Sequence, residues 1–190
     1  MSKLGLLGGT FDPPHIGHLI LAQAAYENLD LEKVIFIPAK NQPHKQYKII
    51  SPPEIRREML VLALGDDARF GISDIELSKP GLSYTYETLG LMQELYPDDE
   101  LCLIIGGDNI ADIETWKNPE KIFNLVTVAA AMRPDCKKAG KFKDRMKIFA
   151  MPQVDISSTM IRELVKNNKP IKYLLPEKVE NYIHTKRLYL

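Results

Sequence analysis

The sequence predicts a doubly wound α/β fold with a mostly parallel sheet, and three observations carry that expectation. Short, near-continuous apolar runs alternate with longer segments whose apolar residues recur at helical spacing. Strands that are apolar throughout belong in a sheet covered on both faces, which is the parallel arrangement. Right-handed crossovers between such strands then wind helices onto both sides.

Taken in order, residues 4–7 read as the first strand and residues 19–29 as the helix after it. Residues 34–37 form the second strand. Ser51-Pro52-Pro53-Glu54 then opens a helix over 54–64, with Ser at the cap, Pro at the first position and Glu three residues after Ser. Residues 70–75 read as a strand, 86–96 as a helix, 101–105 and 126–131 as strands, and 149–151 as a shorter one. Two helical segments, 158–166 and 177–183, add a small carboxyl-terminal piece. With no internal repeat or low-complexity linker, residues 1–190 read as one domain with a real core.

Composition narrows the function. Hydrophobic residues make up 45% and charged residues 26%, which suits a globular chain and not a disordered one. Lys plus Arg (25) balance Asp plus Glu (25), so net charge gives no support to bulk nucleic-acid binding, and an anion site must be a local concentration of donors. The amino terminus lacks the apolar length of a signal peptide, and no stretch reaches the length of a membrane span. Cys102 lies in an apolar run and Cys136 in a basic loop, so both read as free thiols of a reducing cytoplasm.

Ligands of doubly wound sheets sit beyond the carboxyl ends of the strands, so the loops after strands hold the candidate chemistry. After the first strand comes Gly8-Gly9-Thr10-Phe11-Asp12-Pro13-Pro14-His15-Ile16-Gly17-His18. The glycine pair lets backbone approach a ligand where a Cβ would intrude, and the helix beyond presents unpaired amides to a phosphate. His15 and His18 face the same way if the turn is helical, and together can clamp charge developing on a phosphoryl group. A glycine pair can also be only a tight turn, and a His pair can hold a metal. Here no nearby Glu, Cys or third His completes a ligand set. The glycine spacing of a dinucleotide loop is absent as well.

The run Gly8 to His18 resembles the signature of the nucleotidyltransferase superfamily, and His15-Ile16-Gly17-His18 is similar to the motif shared with class I aminoacyl-tRNA synthetases. The resemblance implies that Gly8, Gly9, Thr10 and Phe11 bind the nucleotide, and that the histidines bind its triphosphate and stabilise the transition state. Further on, Ile156-Ser157-Ser158-Thr159-Met160-Ile161-Arg162 opens a helix with clustered hydroxyls and an arginine one turn in. On its own it is equally a plain cap with a surface arginine. Beside the first motif it resembles the superfamily's second signature, which gives Ser157, Thr159 and Arg162 the β- and γ-phosphates and puts Ile156 in the ATP site.

Three segments bear on the acceptor. Lys40-Asn41-Gln42-Pro43-His44-Lys45 follows the second strand and offers cations, or is solvated surface. Ser83-Tyr84-Thr85-Tyr86-Glu87-Thr88 is hydroxyl-rich and opens a helix, or merely caps it. Gly106-Gly107-Asp108 follows a strand, and Trp116, the only tryptophan, can stack on a flat heterocycle or fill the core. The set, with Arg133-Pro134 after a strand, resembles the bacterial nicotinate mononucleotide adenylyltransferase family over nearly the whole chain. This chain has Gly107 where the family often has Ala, and Glu87 where it has Asp.

That resemblance implies a Rossmann-like nucleotidyltransferase fold and transfer of the adenylyl group of ATP to nicotinate mononucleotide, in NAD biosynthesis. Gly106 and Asp108 would serve the ATP. Trp116 would stack on the pyridine ring, Thr85 and the backbone near Lys117 would receive its carboxylate, and Lys40, Asn41, His44, Lys45 and Arg133 would lie about the mononucleotide. Mg²⁺ would arrive on the nucleotide, with no metal site made by the protein. The expected partners are the two small molecules, without nucleic acid or membrane, and the family carries the expectation of a homodimer. The alternatives are a phosphopantetheine adenylyltransferase, a cytidylyltransferase, or a non-catalytic nucleotide sensor on the same fold. The Lys-rich stretch 133–145 reads as a mobile surface loop without chemistry apart from Arg133.

Overall fold

A computed structural model describes residues 1–40, 51–79, 81–107, 109–132 and 140–190. Its centre is a six-stranded sheet: β1 (Lys3–Gly9), β2 (Lys33–Pro38), β3 (Phe70–Ile72), β4 (Glu100–Gly106), β5 (Thr127–Met132) and β6 (Lys147–Ala150). The spatial order is β3-β2-β1-β4-β5-β6, and each neighbouring pair runs parallel. The winding therefore reverses between β1 and β4. The expected fold class is present, and the all-apolar strands are buried as two-sided cover requires.

The long crossover helices are α1 (Ile16–Asn28), α2 (Pro53–Leu64) and α3 (Thr85–Leu95). Two short helices, α4 (Asn109–Asp112) and α5 (Pro119–Leu125), lie between β4 and β5 and were not legible as periodic segments; each is shorter than one full apolar repeat on both faces. The last two, α6 (Ser158–Lys166) and α7 (Glu177–Lys186), match the expected carboxyl-terminal pieces, with α7 one turn longer.

Two core clusters fill the two faces of the sheet. One joins Leu6, Ile35, Leu103 and Ile105 to Leu89, Met92 and Ile122; the other joins Leu7, Phe36 and Ile104 to Leu21, Ala25 and Leu60. A third sets Met59 of α2 against Ile161, Val165, Val179 and Ile183, so α6 and α7 pack on α2 and not on the sheet. Burying these side chains supplies the dominant favourable term of folding.

Three local expectations need correction. Strand β3 stops at Ile72: Ser73 N still reaches Phe36 O (2.9 Å), but the chain then turns and carries Ile75 onto the core from outside the sheet. Ser51 does not cap α2. The cap is Pro52, one residue later, and Ser51 N instead donates to the Asp12 carboxylate at 3.0 Å. In the 133–145 stretch, residues 133–139 lie outside the described ones, while from Gly140 on the chain is anchored. Phe142 is buried and stacks on Phe123 with ring centroids 5.0 Å apart.

Candidate active site

A cavity of about 1160 Å³ opens at the carboxyl ends of β1 and β4, where the winding reverses. It is larger than the roughly 300–1,000 Å³ usual for one small ligand.

At one end β1 runs out at Gly9 into the motif loop. A Cβ on Gly9 would meet the Phe11 ring at 2.7 Å, and Phe11 is itself buried beneath the loop in left-handed backbone (φ 52°). Gly8 differs: a Cβ there would meet no protein atom within 4 Å, so the space beside it belongs to the cavity.

His15 is the cap residue of α1, and His18 lies in its first turn. Their imidazoles stack with centroids 3.7 Å apart and planes 30° apart. His15 N donates to His18 Nδ1 at 3.1 Å, which leaves Nε2 as the protonated nitrogen of a neutral His18. The edge of His18 also meets Phe11, 5.0 Å between centroids. Gly17 is required between them, because a Cβ there would sit 3.0 Å from His15 Nδ1 and 3.4 Å from Val154. Burial pushes the His15 imidazole down to about 4, so it is neutral at pH 7 before any ligand arrives. Its Nδ1 is buried with no hydrogen-bond partner among the described residues.

The expectation of free helical amides at this end is only partly met. Ile16 N, the first amide of α1, donates to Leu174 O at 3.0 Å. One amide expected to be open at this end is therefore already paired.

Helix α6 faces the same end of the cavity. Ser157 caps it, its Oγ accepting from Met160 N at 3.1 Å. Arg162 reaches back one turn: Nη1 donates to Asp12 O at 2.7 Å and Nη2 to Thr159 Oγ1 at 3.2 Å. Ser158 Oγ donates to Pro13 O at 2.8 Å. The two motifs, far apart in sequence, are thus fastened to each other, with His15, His18, Ile156, Ser157, Thr159 and Arg162 all on the cavity wall.

The other end is built by α3 and the segment after β4. Gly106, Thr85, Trp116 and Lys117 all line the cavity. Trp116 is half-buried against the core and also borders the cavity, so filling the core and offering a stacking face are not exclusive here. Lys117 Nζ lies 4.0 Å from the Tyr84 ring centroid, a cation–π contact that parks the ammonium beside Thr85.

Some expected residues are not brought in. Lys40 is absent from the wall; its Nζ donates to Lys79 O at 3.1 Å. Asn41, His44, Lys45, Asp108 and Arg133 lie outside the described residues.

Three residues that sequence reasoning passed over are prominent. Asp12 is 1% exposed, and its carboxylate accepts from Ser51 N (3.0 Å) and the Tyr189 hydroxyl (2.7 Å). Arg56 is fully buried and donates to Thr10 O (2.8 Å), Ser51 O (3.0 Å) and Lys40 O (3.3 Å). Glu76, on the wall near Thr85, accepts from Thr88 Oγ1 at 2.7 Å. Burial raises the Glu76 carboxyl above its ordinary range, against the pull of the Thr88 and Ser83 hydroxyls, Lys79 and Arg56. Only Asp12 carried a local signal, since it sits inside the glycine–histidine motif.

The cytidylyltransferase-like family model matches residues 6–164. The chain is 43% identical to the probable nicotinate-nucleotide adenylyltransferase of Halalkalibacterium halodurans over 190 residues, covering 100% of this chain and 92% of that one. It is also 43% identical to the protein of the same name from Bacillus cereus strain B4264, covering 100% and 99% of the two chains. Among solved structures, the nicotinic acid mononucleotide adenylyltransferase of Plasmodium falciparum complexed with NaAD superposes with a TM-score of 0.83 at 20% identity. That alignment covers 100% of this chain and 98% of the other. At that identity the likeness is one of fold.

Proposed function

The chain belongs to the cytidylyltransferase-like family, and within it to the nicotinate-nucleotide adenylyltransferases; from that premise we propose that it transfers the adenylyl group of ATP to nicotinate mononucleotide. The products are nicotinate adenine dinucleotide and pyrophosphate, a step of NAD biosynthesis. The observation that carries the reading is one cavity with His15, His18 and Arg162 at one end and Thr85, Trp116 and Lys117 at the other.

A phosphate oxygen of the mononucleotide attacks the α-phosphorus of ATP, and the bond from that phosphorus to the bridging oxygen breaks as pyrophosphate leaves. The attacking phosphate is already ionised near neutral pH, so the reaction needs no protein base. What the protein supplies is alignment and charge stabilisation. Gly8 and Gly9 admit the triphosphate close to the backbone, with Thr10 and Phe11 shaping the loop beneath it. His15 and His18 donate to the transferring phosphoryl group. Ser157, Thr159 and Arg162 hold the β- and γ-phosphates, and Ile156 and Gly106 shape the nucleotide's bed. Asp12 is committed to Ser51 and Tyr189, and the phosphate end is otherwise made of neutral and cationic donors. Such a donor set fits Mg²⁺ brought in with the nucleotide, which would supply neutralisation of charge on the leaving pyrophosphate.

At the acceptor end Trp116 stacks on the pyridine ring, while Thr85 and the backbone at Lys117 receive its carboxylate. The Lys117 ammonium, seated on Tyr84, adds charge of the right sign. A site with donors placed for a carboxylate disfavours the amide, which leaves those donors poorly matched.

Residues 1–190 act as one domain in this reading, because the third core cluster joins α6 and α7 to α2 and the loop bonds of Arg162 and Ser158 cross to the first motif. A free, buried Cys102 agrees with a reducing cytoplasm. No helix among the described residues is long and apolar enough to cross a membrane. A homodimer is the expected assembly, read out by size-exclusion with light scattering.

The test is to incubate the protein with ATP and Mg²⁺ and, separately, nicotinate mononucleotide, nicotinamide mononucleotide or phosphopantetheine, following pyrophosphate and dinucleotide. Fast turnover with the nicotinate form and slow turnover with the amide supports the reading. Turnover with phosphopantetheine alone keeps the phosphate chemistry and removes the roles given to Thr85 and Trp116. ATP binding without turnover on any acceptor points to the sensor.

A further inference from the structure

The carboxylate of Asp12 has both oxygens engaged in a buried setting at the edge of the cavity. Oδ2 accepts from Ser51 N, and Oδ1 accepts from the hydroxyl of Tyr189, 177 residues along the chain. The carbonyl of the same residue accepts Arg162 Nη1 at 2.7 Å. Asp12 is therefore the link between Tyr189 on one side and the phosphate-holding arginine on the other. Beneath it, the guanidinium of Arg56 holds the carbonyls of Thr10, Ser51 and Lys40, and the charge of Asp12 lies close enough to favour that buried cation.

Tyr189 does not border the cavity. Its backbone is left-handed (φ 66°), a conformation uncommon outside glycine, Asn and Asp that surrounding contacts must hold. Its hydroxyl is raised above the ordinary tyrosine range, by burial first and then by the Asp12 charge, so it stays protonated and stays a donor. The Ser51 side chain also hydrogen-bonds that oxygen, and the Met59 sulfur lies 3.8 Å from it.

We propose that Tyr189 is a positioning residue for adenylyl transfer: by fixing Asp12 it sets where Arg162 meets the phosphates of the nucleotide. The role rests on the adenylyltransferase reading for its kinetic expression, and on the phosphate site alone for its effect on ATP binding. A tyrosine that only anchors α7 would lower the melting temperature and leave the folded enzyme's turnover unchanged. A positioning tyrosine acts through Arg162, so its effect disappears once Arg162 is gone.

The test is a double-mutant cycle of Tyr189→Phe and Arg162→Ala, read by steady-state kinetics and by calorimetric titration with ATP, with Tm measured on every variant. Tyr189→Phe keeps the ring and deletes one oxygen. The expected result is a loss of about tenfold in kcat and a few-fold loss of ATP affinity, with KM for nicotinate mononucleotide within about twofold of the parent. Neither effect persists in the Arg162→Ala background. Equal losses in both backgrounds, or a lower Tm with unchanged kcat and ATP affinity, overturn the proposal. If the parent protein does not turn over nicotinate mononucleotide at all, the function reading fails. The ATP titrations still decide the role of Tyr189.

Discussion

The imidazoles of His15 and His18 lie stacked, 3.7 Å between centroids, with His15 N donating to His18 Nδ1. That hydrogen bond orients the ring of His18 with its protonated Nε2 away from the backbone. Two neutral rings can pack this closely; two imidazolium rings would repel. A pair packed in this way offers ring N–H donors, not fixed positive charge, to a group entering the cavity.

Removing His18 tests the arrangement most directly. His18→Ala is expected to lower kcat by about 10² to 10³, the usual loss for one preorganised donor, with an unchanged melting temperature to within a few degrees. Single-turnover rates with radiolabelled ATP give the number. A variant retaining most of the parent's turnover removes His18 from the chemistry.

Protonation of His15 makes stability depend on pH in a defined window. The folded value of about 4 lies below the ordinary 6.5, so between these limits the unfolded chain binds more protons and stability rises with pH. The contribution is complete above pH 6.5 and falls away as the pH drops to about 4, by roughly 3 kcal/mol in all. Urea unfolding at pH 7.5, 5.5 and 4.5 measures it. His15→Gln, which cannot titrate, is expected to lose less stability than the parent over the same interval. Parallel pH dependences in the two proteins refute the assignment.

What was legible in the sequence divides along one physical line. The glycine–histidine loop and the Ser157 to Arg162 turn were readable as candidates because each is one contiguous run at a strand or helix end, and both line the cavity. The sheet was readable for the same reason, since apolar runs such as 101–105 declare burial on both faces. Arg56 was not. In a helical pattern it counts as an ordinary polar position, yet it is fully buried because its partner Thr10 is 46 residues away. Glu76 and Tyr189 were hidden likewise by partners on other elements, Thr88 and Asp12. Strand β3 was overextended because Ile75 is apolar for a reason unrelated to the sheet: it packs on the core from a turn.

Two glycines at comparable strand ends are expected to behave in opposite ways. A Cβ at Gly8 enters open cavity, so Gly8→Ala leaves stability unchanged and weakens ATP binding. A Cβ at Gly107 would meet the carbonyl oxygen of Ala131 at 2.7 Å, and backbone cannot step aside cheaply. Gly107→Ala therefore costs about 1–3 kcal/mol of stability, as overpacking does. Thermal unfolding and ATP titration on both variants separate the cases, and equal behaviour contradicts the account.

Arg56 gives the sharpest stability prediction, because among the described residues its direct hydrogen-bond partners are all backbone carbonyls. Three backbone oxygens, of Thr10, Ser51 and Lys40, converge on one guanidinium, and each belongs to a segment that borders the phosphate loop or follows β2. Burial lowers its pKa, with Asp12, Glu54, Tyr189 and Glu76 opposing that shift, so the charge is retained at neutral pH. Arg56→Met fills much of the volume but leaves the carbonyls without donors and Asp12 without its neighbouring cation, at a cost of about 3–5 kcal/mol. Lysine cannot restore the fork, since one ammonium does not reproduce the planar spread of Nε, Nη1 and Nη2. Arg56→Lys is accordingly expected to recover less than half of the loss. Chemical denaturation of the parent, Arg56→Lys and Arg56→Met orders the three. A methionine variant as stable as the parent would show that water satisfies the carbonyls, and that Arg56 does not hold the loop.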